Sequence, residues 1–172
     1  SLEEINRSIN DGSFYEKKPF LHAINRAKKN NSKLHLLGMI SDQGVHSEYH
    51  HLFELLKLAK KHKVKNVYIH AITDGRDVPE RSGEKFLKRL KKEMKKTGVG
   101  KIATMIGRYY AMDRDKNWKR TKKAYDLYTK GKGTEADDPV KELKRQYEKD
   151  VESDYYIKPV LLDEDGLIES KD

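Results

Sequence analysis

The stretch "NVYIHAITDGRDVPE", residues 66–80, decides how the chain is read: it runs apolar for several positions, then stops at a glycine and an arginine held between Asp74 and Asp77. A short run rich in β-branched and aromatic residues, apolar on both faces, is the pattern of a strand covered by helices on both sides. An arginine at its exit is a poor way to build a core and a good way to meet a polar ligand. Two more runs share the pattern, "KLHLLGMI" (33–40) and "KIATMI" (101–106). Between the runs lie two amphipathic helices, the first carrying Leu52, Leu55, Leu56 and Ala59, the second Phe86, Leu87, Leu90 and Met94. Strand, helix, strand at intervals of about 33 residues suits right-handed crossovers between parallel strands. The expected fold is α/β, a three-layer domain with a mostly parallel central sheet flanked by helices.

The flanking segments extend this frame. Ser1 and Glu4 have capping-box spacing ahead of a helical face made by Leu2, Ile5 and Ile9. Pro19 suits a first helical position, with Leu21, Ile24 and Ala27 on one side. A further helix is expected from Trp118 to Tyr128, a flexible loop from Gly131 to Asp138, and another helix opened by Pro139 through Leu143 and Tyr147. The tail "YYIKPVLLDEDGLIES" (155–170) reads as two antiparallel edge strands around an Asp-Gly turn, with Pro159 tolerable only at an edge.

At 172 residues the chain is expected to form a single domain, residues 1–172, with a wet surface, since 38% of it is charged and 35% hydrophobic. The net charge of +9 points to an anionic partner, yet most of the excess is lysine interleaved with glutamate along helix faces, as in "LKRLKKEMKK". Cysteine is absent, which removes disulfides, thiolate metal sites and cysteine nucleophiles. No apolar run approaches the ~20 residues that span a bilayer, and no signal peptide opens the chain, so a cytoplasmic protein with no membrane partner is expected. The chain begins without methionine and stops at "ESKD", and is read as a piece of something longer.

In open α/β sheets ligands sit beyond the carboxyl ends of the strands. The three exits here are "SDQGVHS" with Asp42, Gly44 and His46; "TDGRD" with Arg76 and Asp77; and "GRYYAMDRD" with Arg108 and Arg114. Only nine of the 37 basic residues are arginines, so three exit arginines are a sharper signal than the overall charge. Arginine forks hold carboxylate or phosphate in two-pronged geometry, and an ionised acid beside them, Asp74 or Asp77, can hold hydroxyls or exchange a proton. His46 precedes Ser47, a candidate N-cap. The group His46, Glu48, His50 and His51 offers an i, i+4 histidine pair, without the neighbouring glutamate of a zinc-protease motif. No Lys-Ser/Thr phosphate loop and no Gly-x-Ser-x-Gly elbow occurs. Tyr109 and Tyr110 are read as packing residues or base-stacking platforms.

Three segments, "SDQGVHS" (41–47), "HAITDGRDVP" (70–79) and "GKIATMIGRYYAMDRDKNW" (100–118), together resemble the cofactor-independent (2,3-bisphosphoglycerate-independent) phosphoglycerate mutase family, in its inserted phosphotransferase domain; weaker likeness runs from "INDGSFYE" through "DDPV". The resemblance implies an isomerase that interconverts 3-phosphoglycerate and 2-phosphoglycerate in glycolysis through a phosphoserine intermediate. It implies His46, Arg76, Asp77, Arg108 and Arg114 as substrate-binding residues. It places the nucleophilic serine, the ligands of two divalent metal ions (manganese) and a downstream arginine segment in flanking parts of the parent, so this chain is expected to hold no catalytic residue, to bind no metal and to be inactive alone. The family has glycine where Gln43 stands and histidine where Glu48 stands. The rival expectations are a basic nucleic-acid-binding domain and a module that kept the fold and lost the activity.

Overall fold

Capping chemistry starts the chain: the Ser1 hydroxyl accepts the Glu4 N–H while the Glu4 carboxylate turns back on the Ser1 amine, fixing α1 (Leu2–Asn10). The computed structural model describes residues 1–172. After α1 come α2 (Lys18–Lys29), β1 (Leu34–Met39), α3 (Tyr49–Lys61), β2 (Val67–Thr73), α4 (Gly83–Thr97) and β3 (Lys101–Gly107). The short helix α5 (Arg108–Ala111), α6 (Trp118–Lys130), β4 (Thr134–Glu135), α7 (Pro139–Glu148) and β5 (Val160–Leu161) complete the chain. The sheet order is β1-β2-β3-β5-β4. Strands β1, β2 and β3 are parallel, β5 runs antiparallel to β3, and β4 is parallel to β5.

Every residue of β2 is buried, as its largely apolar run predicts for a central strand. On one face Phe53, Leu56, Phe86, Leu87, Leu90 and Leu143 pack from α3, α4 and α7 onto Ile69, Ala71 and Met105. Each leucine buried in this way contributes about 2 kcal/mol of transfer free energy. On the other face Ala124 and Leu127 of α6 cover Met39, Ile72 and Ile106. That leaves β1, the edge strand, half covered, with Leu37 51% exposed, although its sequence reads as a strand buried on both sides.

Several local expectations are corrected. The helix expected to begin at Pro19 begins one residue earlier, at Lys18. The N-cap of α3 is Glu48, whose carboxylate accepts the His50 N–H at 3.0 Å; the Ser47 hydroxyl donates instead to the Met39 carbonyl at 2.6 Å. The segment read as a flexible loop contains β4, because the Thr134 and Ala136 N–H groups donate to the carbonyls of Pro159 and Leu161. The tail is not a hairpin of edge strands. β5 lies inside the sheet, and Asp165-Gly166 forms a 3-10 turn where Gly166 sits against Ala103 and Tyr68, too close for any side chain. Pro159 is tolerated because it precedes β5 and contributes only its carbonyl to the ladder.

The tail also caps α4. Ser82, the N-cap residue, makes no side-chain cap bond; the Asp154 carboxylate reaches across 71 positions to accept the Gly83 N–H at 2.6 Å, and Tyr147 donates to its other oxygen. Burial pushes the Asp154 carboxyl above its ordinary value against the pull of these hydrogen bonds.

A polar chain crosses the α6 face. Asp172 lies 3.0 Å from His35 Nε2, His35 Nδ1 lies 2.9 Å from His70 Nε2, and His70 Nδ1 lies 2.9 Å from the Thr104 hydroxyl. With an ionised Asp172 and two neutral rings, one pattern satisfies every group: Thr104 donates to His70, His70 to His35, and His35 to Asp172. Burial first, then the nearby His35 and Lys33, lowers the His70 pKa to about 4. A histidine depressed in the folded state adds stability that is complete above its unfolded value of about 6.5 and is lost as pH falls towards 4, here about 3 kcal/mol in all. Denaturant titrations between pH 7 and pH 4 are expected to show this slope, and His70→Asn is expected to flatten it. An equal slope in the variant would remove His70 as its source.

Candidate functional site

The loops after β1, β2 and β3 meet at one end of the sheet because the three strands are parallel and adjacent. Gly75 turns the second exit with φ +63°, and the backbone of Tyr155 lies where a Cβ would stand, so conformation and space both exclude a side chain there. The first exit turns at Gly44, φ +72°, against the Leu2 side chain of α1.

Where the loops meet, the side chains form one polar network. Arg108, buried at the start of α5, donates through Nη1 to Asp74 Oδ1 at 2.7 Å and to Asp77 Oδ2 at 2.6 Å. The Ser41 hydroxyl donates to Asp74 Oδ2 at 2.7 Å. His46 Nε2 stands 3.9 Å from Asp77 Oδ2. Burial alone would raise the Asp74 carboxyl, but hydrogen bonds from Ser41, the Asp77 N–H, Arg108 and the Arg76 N–H outweigh it and hold the pKa below the ordinary carboxylate value. Arg108 is desolvated, which works against its charge, yet its bonds to Asp77 and Asp74 raise its pKa. Its Nε and Nη2 have no protein partner and are reached by solvent, so one edge of the guanidinium fork is open to a ligand.

Of the residues singled out in the sequence, His46, Asp77 and Arg108 are thus brought together, with Asp74 beneath them. Arg76 and Arg114 lie on the same exits but are exposed and form no ion pair; Arg76 sits 6.0 Å from the Tyr155 ring. Tyr109 and Tyr110 pack edge to face with each other, and Tyr109 also lies against Tyr155, Tyr156 and the Arg120 guanidinium, 3.9 Å above its ring. The histidine group disperses: His50 Nδ1 pairs with Glu48 at 2.7 Å, His51 Nε2 contacts Asn6 at 2.8 Å, and His46 faces Asp77. No three His, Asp or Glu side chains converge as metal ligands.

Sequence reasoning missed two parts of the site. Ser41 reads only as the start of a loop motif, and its bond to Asp74 depends on strand adjacency. The 3-10 turn Asp154–Tyr156 lies under the second and third exits, receiving the Thr73 hydroxyl on the Asp154 carbonyl at 2.6 Å and pressing on Gly75 and Gly107. A half-enclosed cavity of about 430 Å³ lies apart between β1, α2 and α3, with a mostly apolar lining that meets the exits only at His46 and Ser47. It lacks the converging polar groups of the loop network.

Comparison with known proteins identifies the family. The chain is 46% identical over 165 residues to a 2,3-bisphosphoglycerate-independent phosphoglycerate mutase of Acetivibrio thermocellus, covering 96% of this chain and 32% of the relative. It is 46% identical over 176 residues to the protein of the same name from Clostridium botulinum, covering 100% of this chain and 34% of that one. The chain therefore spans about a third of the length of the curated relatives it matches. A crystal structure of Leishmania mexicana phosphoglycerate mutase at low cobalt concentration superposes with a TM-score of 0.92 at 28% identity, over 99% of this chain and 33% of that one. With residues 5–172 matched by the family model described as the BPG-independent PGAM N-terminus, the chain belongs to that family.

Proposed function

We propose that this chain is the substrate-binding part of a phosphoglycerate mutase that interconverts 3-phosphoglycerate and 2-phosphoglycerate, and that it is a single phosphotransferase-type domain without catalytic activity of its own. The observation that carries the reading is the meeting of His46, Asp77 and Arg108 on three adjacent exits, with one edge of the arginine fork open. A phosphoglycerate brings a carboxylate and a phosphate, about three negative charges, and needs several fixed donors to be both neutralised and oriented. In this reading the open edge of Arg108 takes the carboxylate, Arg76 and Arg114 fold in on the phosphate, and Asp77 and His46 hold the hydroxyls. Holding the glycerate in one orientation supplies the proximity that phosphoryl transfer depends on.

The phosphorylated serine and two divalent metal ions, manganese in this proposal, belong to a flanking phosphatase-like part of the parent protein, a second partner of this surface. The acidic and histidine side chains of this chain do not fit a metal cage. The parent is proposed to be cytoplasmic; no helix here is long and apolar enough to cross a membrane.

Calorimetric titration of the chain with 3-phosphoglycerate tests the reading: saturable binding is expected, competed by 2-phosphoglycerate and lost in His46→Ala and Asp77→Ala. The rival, nucleic-acid binding, rests on the open basic groove of Arg81, Lys85, Lys88, Arg89 and Lys92. Two of the three lysines along this surface are already paired, Lys85 with Asp42 and Lys88 with Glu84. Duplex DNA binding that weakens steeply with salt, together with no response to phosphoglycerate, would favour the rival.

A further inference from the structure

We infer that Asp74, outside the group expected to touch substrate, is the positioning residue of the site: one buried carboxylate ties all three strand exits together and fixes how Arg108 and Asp77 face the ligand. The inference rests on the substrate-binding reading above and divides the labour between the two acids of the "TDGRD" turn.

The geometry is specific. Oδ1 of Asp74 accepts from the Arg76 N–H at 3.1 Å, the Asp77 N–H at 3.1 Å and Arg108 Nη1 at 2.7 Å, while Oδ2 accepts from Ser41 Oγ at 2.7 Å. Ser41 belongs to the first exit, the two amides to the second and Arg108 to the third, so each loop is anchored to the same two oxygens. An ionised carboxylate offers about four lone-pair sites, and four donors converge on this one, three of them on Oδ1. The side chain, 1% exposed, does not reach the crevice, so neither a substrate hydroxyl nor a proton in transit meets it. Asp77 differs on each point. It is part-exposed, its Oδ1 has no protein donor, and its Oδ2 shares Arg108 Nη1 and faces His46.

The consequence concerns Arg108. Nη1 is held from two sides by Asp74 and Asp77, which turns the Nε and Nη2 edge outward. Without the charge on Asp74, the guanidinium pairs with Asp77 alone and is free to swing with it. Both the fork and the acid that should meet substrate are then spent on each other. The N–H groups of Arg76 and Asp77 are left with a weaker, neutral acceptor at the same time, so the second exit loosens where two ligand groups are carried.

The test uses this chain with two substitutions. Asp74→Asn keeps the shape and most hydrogen bonds but removes the charge; Ser41→Ala removes one donor and leaves the carboxylate in place. Binding of 3-phosphoglycerate is measured by calorimetry, folding by thermal denaturation, and the Arg108 Nε–H resonance by NMR in the ligand-free chain. A residue serving only the fold would lower the melting temperature without singling out that resonance. Asp74→Asn is expected to weaken binding about tenfold, and Ser41→Ala about threefold, with the Arg108 Nε–H signal shifted and exchanging faster in both. Unchanged affinity in both variants, or an unmoved Arg108 signal in both, overturns the assignment to Asp74. If Asp74→Asn does not fold, the affinity and the Arg108 signal of Ser41→Ala decide on their own. Absence of binding in the unaltered chain overturns the functional reading instead, and the Arg108 resonance then decides whether Asp74 holds the guanidinium at all.

Discussion

Replacing Arg108 by alanine is expected to abolish phosphoglycerate binding, by at least about 100-fold, and to lower folding stability by about 3 kcal/mol at pH 7. The guanidinium is buried between Asp74 and Asp77, and its removal leaves two carboxylates close together with no cation between them. The stability loss should shrink as pH falls, because Asp74, whose pKa Arg108 helps to hold down, takes up a proton more readily without it and so sheds the uncompensated charge. Arg108→Lys restores the charge but not the fork: a single ammonium held between the acids has no second edge to turn outward, so stability should recover further than affinity. Calorimetry and denaturant titration of the two variants check both arms. An alanine variant that binds within tenfold of the original would show that the ligand is held elsewhere.

Gly107→Ala is the second large effect, expected to cost about 2 to 3 kcal/mol, while Gly38→Ala in the same sheet should change stability by no more than about 0.5 kcal/mol. Gly107 has φ −71°, which any residue adopts, so the constraint is space and not conformation. A Cβ there would lie 2.3 Å from the Tyr155 carbonyl oxygen and 2.7 Å from the Ile157 nitrogen, both backbone atoms of a segment the Gly107 N–H itself binds at 2.8 Å. At Gly38 a Cβ meets nothing within 4 Å. Because Arg108 follows Gly107 directly, the first substitution should also weaken ligand binding, and the second should leave it alone. Equal melting temperatures for the two variants would refute the account of the 3-10 turn as the floor of the site.

Much of this site is legible in the residue order. Strands β1, β2 and β3 are readable because strands covered by helices carry largely apolar runs, and their spacing leaves room for a crossover helix between neighbours. Parallel neighbours put their exits at one end, so His46, Asp77 and Arg108 are brought together by a rule needing no coordinates. Interactions spanning long stretches of sequence are not legible in this way. The tail reads as a hairpin because "DEDG" carries turn chemistry, yet β5 finds partners on both sides, in β3 and in a two-residue strand too short to announce itself. Ser47 reads as the cap of α3, but its hydroxyl has a nearer acceptor on Met39, and Glu48 takes the place.

By itself the sequence determined which residues stand at the strand exits, because strand period, crossover length and parallel order are local properties of the chain. Only the tertiary structure decided what those residues do there: that Asp74 is buried and held by all three exits while Asp77 keeps an open oxygen, that Arg108 faces both, and that the turn at Asp154–Tyr156 supports them from below. Two acids three positions apart are equivalent in composition. They become different only when packing removes water from one and leaves it beside the other, and that depends on partners 31 to 34 residues away in the chain.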